Sequence, residues 1–305
     1  MPTALFRSIE RFPAFDMRSV VIYSIIAAEA VAAITLSALL GFSFDPALWH
    51  FVPPSTLLLL FAGPLARRVG HNQVGGAIET LGLIYVQGVA AVFLLFPLTA
   101  ISAPLADESL NRIDQAFGFD WAALYSATRQ SPFLVGAIEI AYRSFSWQPA
   151  VVVILLWAVK QGDRAWAFVT AATIALLLCV VVFPFAPAEG EFLFRGLRPS
   201  DYPLLMSLSP WRFGPPIIAI KDGARFITAD HFTGFVSMPS YHAASAALLC
   251  WATWRTPLRW LFVAINLCMT VAAMIVGAHY LVDILAGLAV GGLAIRLGRY
   301  SNDAP

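Results

Sequence analysis

Two short stretches of this chain carry groups that sit badly in an apolar helix: Pro239, Ser240 and His242 in "PSYHAASAALLCW", and His279 and Asp283 in "HYLVDILAG". His279 and Asp283 are four residues apart, one helical turn. That spacing lets the carboxylate accept the proton of one ring nitrogen and leaves the other aimed outward as a base or nucleophile. At the other stretch, Pro239 suits the approach to a first helical turn and Ser240 is a capping residue, so the N–H groups that follow lack intrahelical partners. Free donors and a helix dipole favour an anion, and "PSYH" is expected to bind a phosphate with His242 beside it to protonate a leaving oxygen.

The elements that must bring these groups together are membrane helices. The chain has 305 residues, is 59% hydrophobic and only 12% charged, with a mean hydropathy of +0.76. Such a composition demands an apolar solvent for most of its length and excludes an ordinary soluble domain. A net charge of +1 without a clustered basic face excludes nucleic acid as a partner and leaves lipids. Apolar runs near the ~20 residues needed to cross a bilayer fall at 19–41, 48–66, 74–98, 146–160, 165–187, 238–254, 258–277 and 279–297. The second contains Pro53, Pro54 and Pro64, and the fourth is preceded by a separable half-helix in which Glu139 and Arg143 form an i,i+4 pair. The expected fold is all-α, a polytopic bundle of about six to eight transmembrane helices.

With both termini cytoplasmic, the inside segments hold Arg7, Arg11, Arg18, Arg67, Arg68, Lys160, Arg164, Arg255, Arg259, Arg296 and Arg299. This satisfies the positive-inside bias. Span six then runs inward from Ser240, span seven returns, and span eight begins at His279, so both histidines reach the outer face. Two long outer segments complete that face. Residues 99–145 open with an acidic stretch whose apolar residues recur at helical spacing, read as amphipathic surface helices, and residues 188–237 carry Arg195, Arg198, Arg212, Lys221 and Arg225. Three parts follow: N-terminal helices over 1–100, an outer-surface segment over 101–131, and a catalytic membrane core over 132–305. Cys179, Cys250 and Cys268 lack CxxC or Cys/His spacing and read as small core hydrophobes, with neither disulfide nor zinc site.

"PSYHAA" followed by "HYLVDILAG" resembles the second and third motifs of the type 2 phosphatidic acid phosphatase superfamily, and the pairing looks closest to its inositolphosphotransferase-like branch. The resemblance covers roughly residues 105–296 and includes "GFDW", "AYRSF" and "FPFAP". It implies that His279 attacks phosphorus to form a phosphohistidine, that Asp283 holds its ring, and that His242 protonates the departing alcohol and then activates the acceptor. Ser240 and nearby amides would hold the phosphate oxygens, and no metal or other cofactor is implied. Two positions depart from the family pattern: Glu191 stands where a lysine is usual, and Ala273 where an arginine is usual. Loss of that arginine is in keeping with the inositolphosphotransferase-like branch. A doubly charged phosphoryl group needs several cations, and Arg198, Lys221 and Arg225 are the expected replacements. Tyr241 replaces a frequent glycine and would narrow the pocket or stack on a headgroup.

The resulting expectation is an enzyme of a bacterial inner membrane: a phosphoesterase or phosphotransferase acting on lipid-linked phosphate at the outer face. Two rivals stand beside it. One is a lipid or anion transporter, for which the intramembrane Glu29 and Glu79 would matter; the other is a non-catalytic partner subunit. His50, His71 and His231 read as interfacial residues, and Trp49, Trp121, Trp147, Trp254 and Trp260 as an aromatic belt.

Overall fold

The computed structural model describes residues 17–198 and 210–303. Arg7, Arg11 and Pro199 lie outside them. Three long helices come first: α1 (Met17–Leu40), α2 (Leu48–Arg68) and α3 (Asn72–Ala100). Short helices follow at one end of the bundle, α4 (Asp107–Ala116), α5 (Trp121–Thr128) and α6 (Pro132–Arg143). The chain then crosses back through α7 (Gln148–Ala158) and returns through α8 (Gly162–Val182). After the small α9 (Glu191–Phe194) and α10 (Pro210–Lys221), the last three helices are α11 (Tyr241–Thr253), α12 (Arg259–Ile275) and α13 (Leu281–Asp303). This is an all-α polytopic membrane bundle.

Helices occupy all eight expected places, and five are long and apolar enough to cross a bilayer: α1, α2, α3, α8 and α13. The other three are shorter for local reasons. A 3-10 turn at Ser144–Ser146, ahead of Pro149, divides α6 from α7. Ser240 starts α11 late, accepting a hydrogen bond from the N–H of Ala243 at 3.3 Å, and α12 begins only after the Thr256–Pro257 turn. Arg164 closes the far end of α11, donating from Nε to the Ala252 carbonyl at 2.6 Å.

The packing places α3 against α1, α2 and α8, and α13 against α8 and α11. Small residues set the closest approach. Gly291 lets α13 lie against the backbone of α11 at Ala244, where a Cβ would come within 2.8 Å of the carbonyl oxygen, and Gly287 does the same one turn earlier at Ser240. The α1–α2 connection contributes a two-residue strand, β1 (Ser43–Phe44), paired in parallel with β2 (Phe226–Ile227) in the segment leading to α11.

Several buried polar side chains are partnered between helices. Glu29 accepts from Gln87 Nε2 at 2.7 Å, Glu79 is paired with Arg67, and Asn266 of α12 donates to Gln148 of α7 at 2.8 Å. The expected Glu139–Arg143 pair forms at 2.8 Å. Two expectations need correction. Trp121 does not belong to an aromatic belt: it is 2% exposed and donates from Nε1 to the Met274 carbonyl at 2.9 Å. Trp49, Trp147, Trp254 and Trp260 are exposed, as a belt requires. Of the cysteines only Cys179 is buried, while Cys268 faces outward from α12.

Candidate active site

His242 and His279 meet at one end of the bundle. His279 Nε2 lies 3.3 Å from His242 Nδ1, and the ring centroids are 5.3 Å apart. The main chain brings them together. Ser240 N–H donates to the carbonyl of Asp283 at 3.0 Å, tying the start of α11 to the first turn of α13. Tyr142 stacks on the His242 ring at 4.7 Å and Phe145 meets it at 4.5 Å. Both aromatics come from "AYRSF", and that turn is fixed by Ser144 accepting from Gln148 at 2.9 Å.

The proton positions follow from the partners. His279 Nδ1 lies 3.0 Å from the carbonyl oxygen of Ser237, and a carbonyl can only accept, so Nδ1 carries the hydrogen. Nε2 then presents a lone pair, and the contact to His242 is a hydrogen bond only when His242 Nδ1 is the donor. His279 therefore presents its Nε2 lone pair towards His242 Nδ1.

Asp283 enters differently from the expectation. Its Oδ2 is 3.8 Å from His279 Nδ1, beyond hydrogen-bond length, and accepts instead from the N–H of Tyr280 at 2.9 Å. This is the acidic half of a capping box at the start of α13. The Ser237 carbonyl accepts the imidazole hydrogen bond, and Asp283 holds the turn that carries His279. Its Oδ1 has no partner among the described residues.

The phosphate-binding candidates are dispersed. Ser240 is fully buried with its hydroxyl used as the cap. Tyr241 packs into the helix core and edge-on to Phe145 at 5.8 Å, outside the cavity wall. Lys221 donates to the carbonyls of Ala103 at 2.7 Å and Ser102 at 3.3 Å, just past the end of α3. Arg225 donates to Ile220 and Ala224 carbonyls at 2.9 and 2.8 Å and lies over the Phe42 ring. Neither lines the histidine cavity, because each has its donors on open helix or turn carbonyls. Arg198 is exposed just after α9. Glu191, in the place of the usual lysine, is buried and bound by Arg195 at 2.6 Å, and Ala273 is wholly buried.

The cavity beside the histidines is small, about 40 Å³, and is lined among others by Tyr142, Glu189, Ser237, His242 and His279. Among the described residues no lysine or arginine lines it. Burial, and then the Asp107 carboxylate nearby, hold the Glu189 carboxyl above the usual carboxylate range.

Sequence reasoning missed the device that holds the site's loops. Asp107 of α4 accepts from Gly190 N at 2.9 Å, Glu189 N at 3.1 Å and Tyr280 Oη at 2.9 Å. Asp114, two turns along, accepts from Leu281 N at 2.6 Å and Val282 N at 3.0 Å. One surface helix thus ties the loop before α9 to the start of α13, capping two orphan N–H groups there. The signal was present: Asp107, Leu110 and Asp114 share a helix face by spacing, and all three are buried. Ser237 was also missed; its hydroxyl accepts from Ala188 N at 3.0 Å while its carbonyl orients His279. Gly190 and Gly277, both at positive φ, let these loops touch, since a Cβ on Gly190 would stand 2.5 Å from the Gly277 carbonyl oxygen.

A bundle of membrane helices with two histidines in contact at one end brings together groups that can do acid–base or nucleophilic chemistry. The family comparison is specific: the family model described as PAP2 superfamily matches residues 108–297, more than half of the chain, and the chain belongs to that superfamily. The match begins within α4, one residue after Asp107, and ends within α13, so it takes in Asp114 and leaves out α1 to α3. No curated protein and no solved structure matches the chain. Membership suggests phosphatase-type activity.

Proposed function

We propose that this membrane protein is a phosphoesterase or phosphotransferase acting on lipid-linked phosphate at the extracytoplasmic face, through a phosphohistidine on His279. The observation that carries the reading is the 3.3 Å contact between His279 Nε2 and His242 Nδ1. Substrate replaces that hydrogen bond. The Nε2 lone pair forms a bond to phosphorus as the phosphorus–oxygen bond to the alcohol breaks, and the departing oxygen takes the His242 proton. In the second half, His242 removes a proton from water or from a lipid or polyol hydroxyl, whose oxygen displaces His279 from phosphorus.

Phosphate oxygens are held by the N–H groups at the start of α11, where Tyr241 and His242 occupy the first two helical positions. Arg198 is the described cation best placed by sequence to join them. Hydrolysis and transfer share the first step and differ only in the acceptor.

The test is phosphate release from a panel of lipid phosphates in detergent with EDTA present, comparing wild type with His279→Ala. Release that depends on His279 supports the reading. Release that persists in His279→Ala, or a labelled phosphoenzyme that forms equally in that variant, overturns it.

A further inference from the structure

Outside the family match, α1, α2 and α3 line a second, half-open cavity of about 300 Å³. Ile26, Ala33, Val52, Pro53, Ala90 and Phe93 contribute to its wall, which is almost wholly carbon. An apolar cavity of about 150 Å³ stays dry and takes up benzene, so one twice that size holds a larger apolar group rather than water. Ile34, also in the wall, is 70% exposed, and Val31, Leu57 and Leu58 on the same two helices are exposed as well. These helices are membrane spans, so the medium at the mouth is hydrocarbon and what enters is a hydrocarbon chain.

The cavity is one chain segment away from the histidines. Phe93 stacks with Trp49 at 6.2 Å on one side and meets Phe232 at 4.7 Å on the other. Phe232 opens the segment whose Gly234, Phe235 and Ser237 line the histidine cavity, and Phe235 packs on Phe96 of α3 at 5.5 Å. Phe93 itself lies about 10 Å below the end of α3 at 1.5 Å per residue, the depth at which a chain begins beneath a headgroup held at the bundle's end.

We infer that the α1–α2–α3 cavity takes the hydrocarbon chain of the phosphate-bearing lipid whose headgroup is handled at His279. The inference rests on the proposed function. It gives the N-terminal helices, which do not line the histidine cavity, the task of selecting the lipid.

The test is photocrosslinking of the full-length protein in nanodiscs with a lipid phosphate carrying a diazirine at its chain tip, adducts being mapped by peptide mass spectrometry. Expected are adducts on the cavity-facing residues of α1 to α3. Excess unlabelled lipid phosphate should lower them at least about fivefold, and excess neutral lipid of the same chains should leave them unchanged, a difference of about 1 kcal/mol or more in affinity. Ala90→Phe fills the cavity and should abolish the adducts. Ala33→Leu is the milder second variant, read only in protein that elutes as wild type on gel filtration. Equal competition by both lipids, adducts confined to the outer surfaces of α1 and α2, or adducts that persist in a folded filled variant overturn the inference. Crosslinking needs no turnover. Competed adducts without phosphate release count against the catalytic reading alone, and His279-dependent release without competed adducts counts against this inference alone.

Discussion

Gly287 lies directly beneath Ser240, so close that a methyl group at position 287 would run into the Ser240 carbonyl oxygen. The distance between the two catalytic candidates is set there, because Ser240 begins the helix of His242 and Gly287 lies two turns below His279. Gly287→Ala should push α11 away from α13, cost about 1–3 kcal/mol by overpacking and abolish activity. Gly292→Ala, which points into open space, should leave both stability and activity near wild type. Thermal unfolding in detergent and phosphate release check the pair.

The two histidines should separate by leaving group. His242→Ala is expected to lose about 10²–10⁴-fold in rate on an alkyl phosphate, whose oxygen needs a proton, and much less on an aryl phosphate with a good leaving group. His279→Ala should be inactive on both. Equal losses on both substrates in His242→Ala would remove its role as general acid.

Asp114→Ala deletes the acceptor of two α13 N–H groups and should destabilise by about 2–4 kcal/mol, since bonds to a charged acceptor are the strong ones. As a positioning residue it should lower kcat more than it raises KM. Glu108→Gln, on the exposed side of the same helix in an i,i+4 pair with Arg112, should change stability by less than about 0.5 kcal/mol.

Glu189 puts a carboxylate in the wall of a cavity proposed to hold phosphate. Its carboxyl is held above the usual range by burial and by Asp107, so it takes up a proton earlier than an exposed glutamate as pH falls. Protonation removes a like charge, and KM should fall as the pH is lowered. Glu189→Gln should lower KM at neutral pH and flatten that acid-side dependence. A KM that rises in the variant would instead make Glu189 a partner of the acceptor hydroxyl.

Lys221 and Arg225 have their donors on backbone carbonyls away from the cavity. Lys221→Met and Arg225→Met should therefore shift the melting temperature and leave KM within about twofold, less than the ~1 kcal/mol expected for a lost phosphate contact. A tenfold rise in KM for either would return it to the phosphate site.

The helices were legible because membrane helices are written in hydropathy, and all eight expected positions carry one. The meeting of His242 and His279 was legible because counting spans fixes which end of the bundle each reaches. The partners of His279 were not. A residue four positions away on a helix pointed to Asp283, but the ring proton goes to a main-chain carbonyl, and carbonyls leave no mark in a sequence. Lys221 and Arg225 were chosen for charge, while helix ends compete for the same cations. Asp107 and Asp114 were readable as one face of an amphipathic helix, but nothing along the chain says that the face turns towards Leu281 rather than towards water.

The pairing of Ser43 with Phe226 and Phe44 with Ile227 has a mechanical meaning. It stitches the hairpin of α1 and α2 to the same stretch of chain that continues through Phe232 to Ser237. A hairpin in a bilayer tilts to match the thickness of the hydrocarbon around it. The carbonyl that accepts the imidazole hydrogen bond is thus joined, through a strand two residues long, to the part of the bundle that a change in bilayer thickness would tilt.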